Sequence, residues 1–231
     1  MTEHTYKQFD VELEEIRRGV LQMGGMVEQQ TRNALLGLRT GDLVLLEKVI
    51  DGDKAINLEQ IRLDDECNHI IVRRQPAASD LRLVMTAIKS VSDLERIGDE
   101  AKKIAKAARR LHTAESSFTP RVGLEQCATM ALEMLQLALD ALARANTSSV
   151  DTIKRKDADV DASFKSIMRQ LITYMMEDPR TITNSLEMLF IAKSIERIGD
   201  HALNIAEHVV YLARGEDVRF EKAQAQLGEK P

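Results

Sequence analysis

The chain has 231 residues, a formal net charge of −5 and a pI near 5.6, with 44% hydrophobic and 3% aromatic residues and no tryptophan. That acidic balance lacks the surplus of cations that nonspecific nucleic-acid binding needs, no run of about 18 apolar residues is present to cross a membrane, and the charged opening MTEHTYKQFDVELEE does not read as a secretion signal. Ala, Leu, Ile, Met, Glu, Lys and Arg dominate and only four prolines interrupt them, so an all-α chain is expected.

Apolar periodicity is helical nearly throughout. A first helix is expected over about Tyr6–Leu38, stopping at RTGD, and a second over about Asp42–Arg74, stopping at QPAASD. Pro76 cannot continue the second, and Ser79 or Asp80 is available to cap a third, over about Asp80–Leu111. HTAESSFTPR then breaks the pattern with loop residues. Further helices follow over about Val122–Ala145, Ser149–Met176 and Asn184–Arg214. Beyond them the apolar stripe is lost, and a loose tail is expected. Cys67 and Cys127 form no ligand pattern and suit a reducing compartment. Together with the missing span and signal, they predict a soluble, cytoplasmic protein.

The six helices fall into two similar sets of three. ERIGDEA over 95–101 returns as ERIGDHA over 196–202, Pro76 answers Pro179, and Asp53 and Asn57 in DKAIN answer Asp157 and Asp161 in DADVD. The expected organisation is a first three-helix bundle over 1–112, a linker over 113–121, a second bundle over 122–215 and a tail over 216–231. Long helices joined by short turns favour antiparallel bundle packing.

Each ERIGD copy places two carboxylates four residues apart, on one helix face. Glu95 with Asp99, and Glu196 with Asp200, therefore repel. Gly98 and Gly199 each add a helix cost of roughly 1 kcal/mol relative to alanine. Both pairs lie off the apolar stripes, which run through Leu94, Ile97, Ala101 and Ile104 on the third helix and Ile191, Ile195, Ile198 and Ala202 on the sixth. The acids are thus expected on the polar side, not in the core. Asp53, Asn57, Asp157 and Asp161 instead intrude on the stripes of their own helices. Counting outward from a turn at 77–78 sets Asn57 level with residue 98 and Asp53 with 102. A turn near 180 sets Asp161 level with 199 and Asp157 with 203. Each unit would then gather three or four oxygens into one patch. MGGMVEQQ of the first helix reaches that height, with Gly24 and Gly25 permitting close approach and Glu28 offering one more oxygen.

Two solutions neutralise such a patch. Hard oxygen donors suit a divalent cation, with magnesium, manganese, iron, zinc and calcium all open. Otherwise arginines do so, and Arg73, Arg74, Arg82, Arg96 and Arg197 are near in sequence or level. Glu66 and His69 make a lone E-x-x-H spacing, read as an ordinary surface pair, and His201 is read as solvated. No phosphate-binding loop, kinase signature or nucleophile elbow is present.

RRQPAASDLRLVMTAIKSVSDLERIGDEAKKIA and SIERIGDHALNIAEH, with MGGMVEQQ and QLITYMMED, resemble the signature of the PhoU family over roughly residues 6–215. The resemblance implies two three-helix bundles, a homodimer, and metal clusters on the E(D)xxxD motifs. Those map onto Glu95, Asp99, Asp53 and Asn57 in one repeat and Glu196, Asp200, Asp157 and Asp161 in the other. It further implies a regulator of phosphate uptake that adapts the Pst transporter ATPase to a PhoR-type sensor kinase and represses phosphate-starvation genes. Asn57 departs from the acidic pattern, so the first cluster is expected to hold metal more weakly. The alternative reading is a metal-dependent enzyme, a hydrolase or ferroxidase using the carboxylates. No positioned nucleophile or base supports that alternative.

Overall fold

A computed structural model describes residues 2–114, 122–216 and 218, with the side chains of 2–6 left aside. Most of the expected linker and tail, at 115–121, 217 and 219–231, lies outside the described residues. Six helices run in chain order: α1 (Thr2–Thr40), α2 (Leu43–Arg74), α3 (Ala78–Thr113), α4 (Leu124–Arg144), α5 (Val150–Glu177) and α6 (Ile182–Arg214). A single 3-10 turn at Pro179–Thr181 precedes α6. Sequence periodicity does not announce this turn. It follows from Pro179, whose fixed φ suits a first helical position, and from Asp178, whose carboxylate accepts the Arg180 N–H.

The other boundaries have equally local causes. Asp42 caps α2 by accepting from the Leu45 N–H. Gln75 turns left-handed after it, and its N–H closes on the Ile71 carbonyl. Ser79 and Asp80 do not cap α3, contrary to expectation. The helix begins earlier, at Ala78, and Ala77 at its head supplies no side-chain cap.

α1, α2 and α3 pack on one another, as do α4, α5 and α6. The two sets meet mainly where α3 lies against α6, with α1 also touching α4. These two central helices carry the longest rosters of buried residues, including Leu94, Ile97, Ala101 and Ile104 on α3 and Ile191, Ile195, Ile198 and Ala202 on α6. One continuous core therefore runs through both repeats. It sets the ERIGD segments beside each other's repeat as well as beside their own.

Gly24 does permit a close approach, but to α4: a Cβ there would sit 2.6 Å from Leu139 Cδ2. Gly25 has nothing within 4 Å of that position. Gly24 thus serves the contact between repeats, and neither glycine serves the carboxylate patch. No helix among the described residues is long and apolar enough to cross a membrane.

Candidate metal centres

In the first repeat, α2 and α3 meet at the expected level. A Cβ on Gly98 would lie 3.1 Å from Ile56 Cδ1, and the Lys102 ammonium sits 2.6 Å from Asp53 Oδ2. Asp53 is 1% exposed. Its Oδ2 also accepts from Asn57 Nδ2 at 3.3 Å, while Oδ1 of Asp53 and Oδ1 of Asn57 are buried without a donor. Lys102 reaches towards Asp99 as well, at 3.9 Å. Burial first, then the nearby Asp99 and Asp53 charges, raise the Glu95 pKa against the pull of Arg96 and Lys102. Lys102 is correspondingly held protonated, chiefly by its hydrogen bond to Asp53.

α1 contributes at this height through a residue the sequence did not single out. Gln30 Nε2 donates to the Gly98 carbonyl at 3.3 Å. Glu28 turns elsewhere, to Arg32 at 2.8 Å and Gln136 Nε2 at 2.9 Å. It adds no oxygen here, because it lies on the face of α1 that meets α4.

The second repeat is built differently. One oxygen each from Asp161, Glu196 and Asp200 lies within 4.8 Å of the others. Asp157 is half-buried close by. Desolvation first, and then Asp200, Asp161, Glu196 and Glu207, push its pKa up to about 6. Asp200 is shifted upward for the same leading reason, burial, followed by Glu196. Glu196 itself is buried, at 9% exposure, which corrects the expectation that the ERIGD acids stand clear of the core. The wheel of α6 alone places it on the polar side; α5 covers that side. Lys193, one turn earlier, donates to both Glu196 oxygens at 2.6 and 2.5 Å.

The cations in direct contact with the acids are therefore lysines and not the arginines the sequence nominated, of which Arg96 acts on Glu95 through its charge alone. Arg74 is paired with Glu12 and Arg197 with Glu100. Lys102 and Lys193 sit one turn from Asp99 and Glu196, so i,i+3 spacing was the signal that could have found them. The sequence also passed over a buried polar knot where the repeats join. Asp93 of α3 bonds His201 Nδ1 and His208 Nε2 at 2.8 Å each and accepts from Asn204 Nδ2 at 3.1 Å. Burial alone would raise the Asp93 pKa, yet these bonds overcome it and hold the group at about 2. His201 is thus bound across the seam, not solvated. Glu66 of the lone E-x-x-H pairs with Arg62.

With the geometry in view, comparison with known proteins decides the kinship. The family profile described as "PhoU domain" matches residues 20–108 and again 124–209. The chain belongs to the PhoU family. A "phosphate-specific transport system accessory protein PhoU homolog" of Pseudomonas aeruginosa is 46% identical over 221 residues, covering 95% of this chain and 90% of the relative. The PhoU accessory protein of Escherichia coli K12 is 46% identical over 220 residues with the same coverages. A crystal structure of PhoU from P. aeruginosa superposes with a TM-score of 0.86 at 46% identity, covering 90% of this chain and all 100% of the other. That of the phosphate transport system regulatory protein PhoU from Streptococcus pneumoniae gives 0.84 at 33% identity, covering 91% and 99%. The chain is accordingly an all-helical protein of two PhoU domains, accessory and regulatory in kind. PhoU membership sets aside the enzyme alternative.

Proposed function

We propose that this PhoU-family chain is a cytoplasmic regulator of phosphate uptake that works by docking, linking the Pst transporter ATPase to a PhoR-type sensor kinase and repressing the phosphate-starvation genes, as a homodimer. The observation that carries this reading is near full-length similarity to phosphate-specific transport accessory proteins, 95% of the chain at 46% identity. The absence of any apolar membrane-length helix among the described residues is compatible with it. Purified chain, transporter ATPase subunit and kinase, mixed pairwise, test it directly: both are expected to bind, and a chain that binds neither overturns the adaptor.

The second carboxylate cluster fits a divalent cation, by the chemistry of its donors. Asp161, Glu196 and Asp200 converge as hard oxygens, and neighbouring Asp157 resists ionisation in their company. A bound ion would neutralise that repulsion and cross-link α5 to α6. The first cluster, with Asp53, Asn57, Glu95 and Asp99, offers two buried oxygens without donors but already contains Lys102. We assign it the weaker affinity. Titration with Mn²⁺ should resolve one tight and one weak site; two equal sites would contradict the assignment.

A further inference from the structure

Although the chain is acidic overall, five of its cations are gathered along one side of the seam between repeats. Lys103, Lys106 and Arg110 of α3 face Lys193 and Arg197 of α6 across a groove of about 400 Å³. Their counter-charges are fewer. Buried Glu100 lies 2.8 Å from Lys103 and 3.4 Å from Arg197, Glu187 holds Arg110 at 2.6 Å, and Glu196 holds Lys193. Lys106 has no ion-pair partner among the described residues. These carboxylates orient the cations without cancelling them.

The groove also has an apolar border. Phe190 on its wall is 58% exposed, and Leu186 and Ile182, one and two turns earlier on α6, are 39% and 41% exposed. Residues four apart share a helix face, so an apolar stripe leads straight into the basic floor. Basic floor and apolar border together match one kind of occupant, by charge and by spacing.

We propose that the α3–α6 groove docks an acidic, amphipathic segment of a partner protein, its apolar residues on Ile182, Leu186 and Phe190 and its carboxylates on the cations beyond. The proposal deepens the adaptor reading above and rests on it. Lys193 gives the surface a second consequence, since it belongs to both groove and carboxylate cluster. A partner carboxylate that draws Lys193 away frees Glu196 for a metal ion, and a metal ion that takes Glu196 releases Lys193 to the groove. By linkage each event strengthens the other.

The test uses the full chain and a fluorescein-labelled helical peptide of about 15 residues, with leucine along one stripe and glutamate elsewhere. Saturable binding is expected, weakened about tenfold or more when every peptide glutamate becomes glutamine and weakened likewise by added salt. K106E combined with R197E, and separately F190S, should each lose about tenfold in affinity while circular dichroism is unchanged. Equal binding by wild type and both variants overturns the proposal. So does sedimentation in which the charge-reversed protein alone falls from dimer to monomer, because the groove would then be covered by a second copy. Saturating peptide should tighten Mn²⁺ binding, read by electron paramagnetic resonance, in wild type and not in K193M; identical Mn²⁺ affinity with and without peptide removes the linkage through Lys193. The two readings fail separately. If the transporter ATPase and the kinase bind the charge-reversed protein as well as wild type, the groove is wrong and the adaptor stands. If neither binds wild type, the adaptor fails whatever the peptide does.

Discussion

The two repeats present the same motif on the same pair of helices, yet their carboxylate clusters are solved in different ways. In the first, Lys102 lies inside the cluster, 2.6 Å from the deeply buried Asp53, and Asn57 replaces an acid. In the second, the residue three past the motif aspartate is Leu203, which carries no charge. Its lysine, Lys193, grips Glu196 from without and is 48% exposed. Duplication therefore preserved the register of the backbone but not the electrostatics. One repeat has an internal cation built into its fold, while the other leaves four acids short of one.

That contrast can be broken most directly by removing the second cluster. E196A combined with D200A should lower divalent-metal affinity at the second site by about 100-fold or more and leave the helices folded. Elemental analysis with unchanged metal, or a collapsed helical dichroism signal, would show that the repeats do not divide the work this way. Next in size is the pair of lysines. K102M strands the carboxylate of Asp53 in a buried setting and should cost about 2–3 kcal/mol in chemical denaturation. K193M, at a half-exposed pair, should stay within about 0.5 kcal/mol. Equal losses would mean the lysines play the same part.

The pH response sharpens the comparison further. Burial and neighbouring acids raise Asp157 to about 6, so its protonated form is the one the fold favours. In chelator, the stability it contributes is complete below its ordinary value of 3.8 and is lost as pH climbs through about 6. Thermal melts of D157N should lack that decline, whereas wild type should regain stability near neutral pH once a divalent ion is added. The smallest effect separates the two glycines. G199A meets Met134 and Val160 no closer than 3.5 Å and should gain up to about 1 kcal/mol of helix propensity. G98A must displace Ile56 from 3.1 Å and should gain about 0.5–1 kcal/mol less.

Much of this architecture was legible in the sequence. Six helices, their duplication, and the height at which Asp53 and Asp161 meet the ERIGD segments all follow from local rules: apolar period, turn residues and counting along rigid rods. The lysines that stand in place of the proposed arginines were overlooked on the acids' own helices, but the solvated His201 and the exposed Glu196 were misread for one shared reason. Each depends on which helix lies opposite, and a helical wheel describes only its own helix.

Read alone, the chain determined its helices, its two repeats and the level of its carboxylates, because these depend on neighbours in sequence. Only tertiary packing decided which charges meet. It set Lys102 on Asp53, bound His201 and His208 to Asp93 across the seam, and lined one groove with cations from both repeats. Those groupings join residues tens of positions apart or more, and they exist only because α3 packs against both α2 and α6.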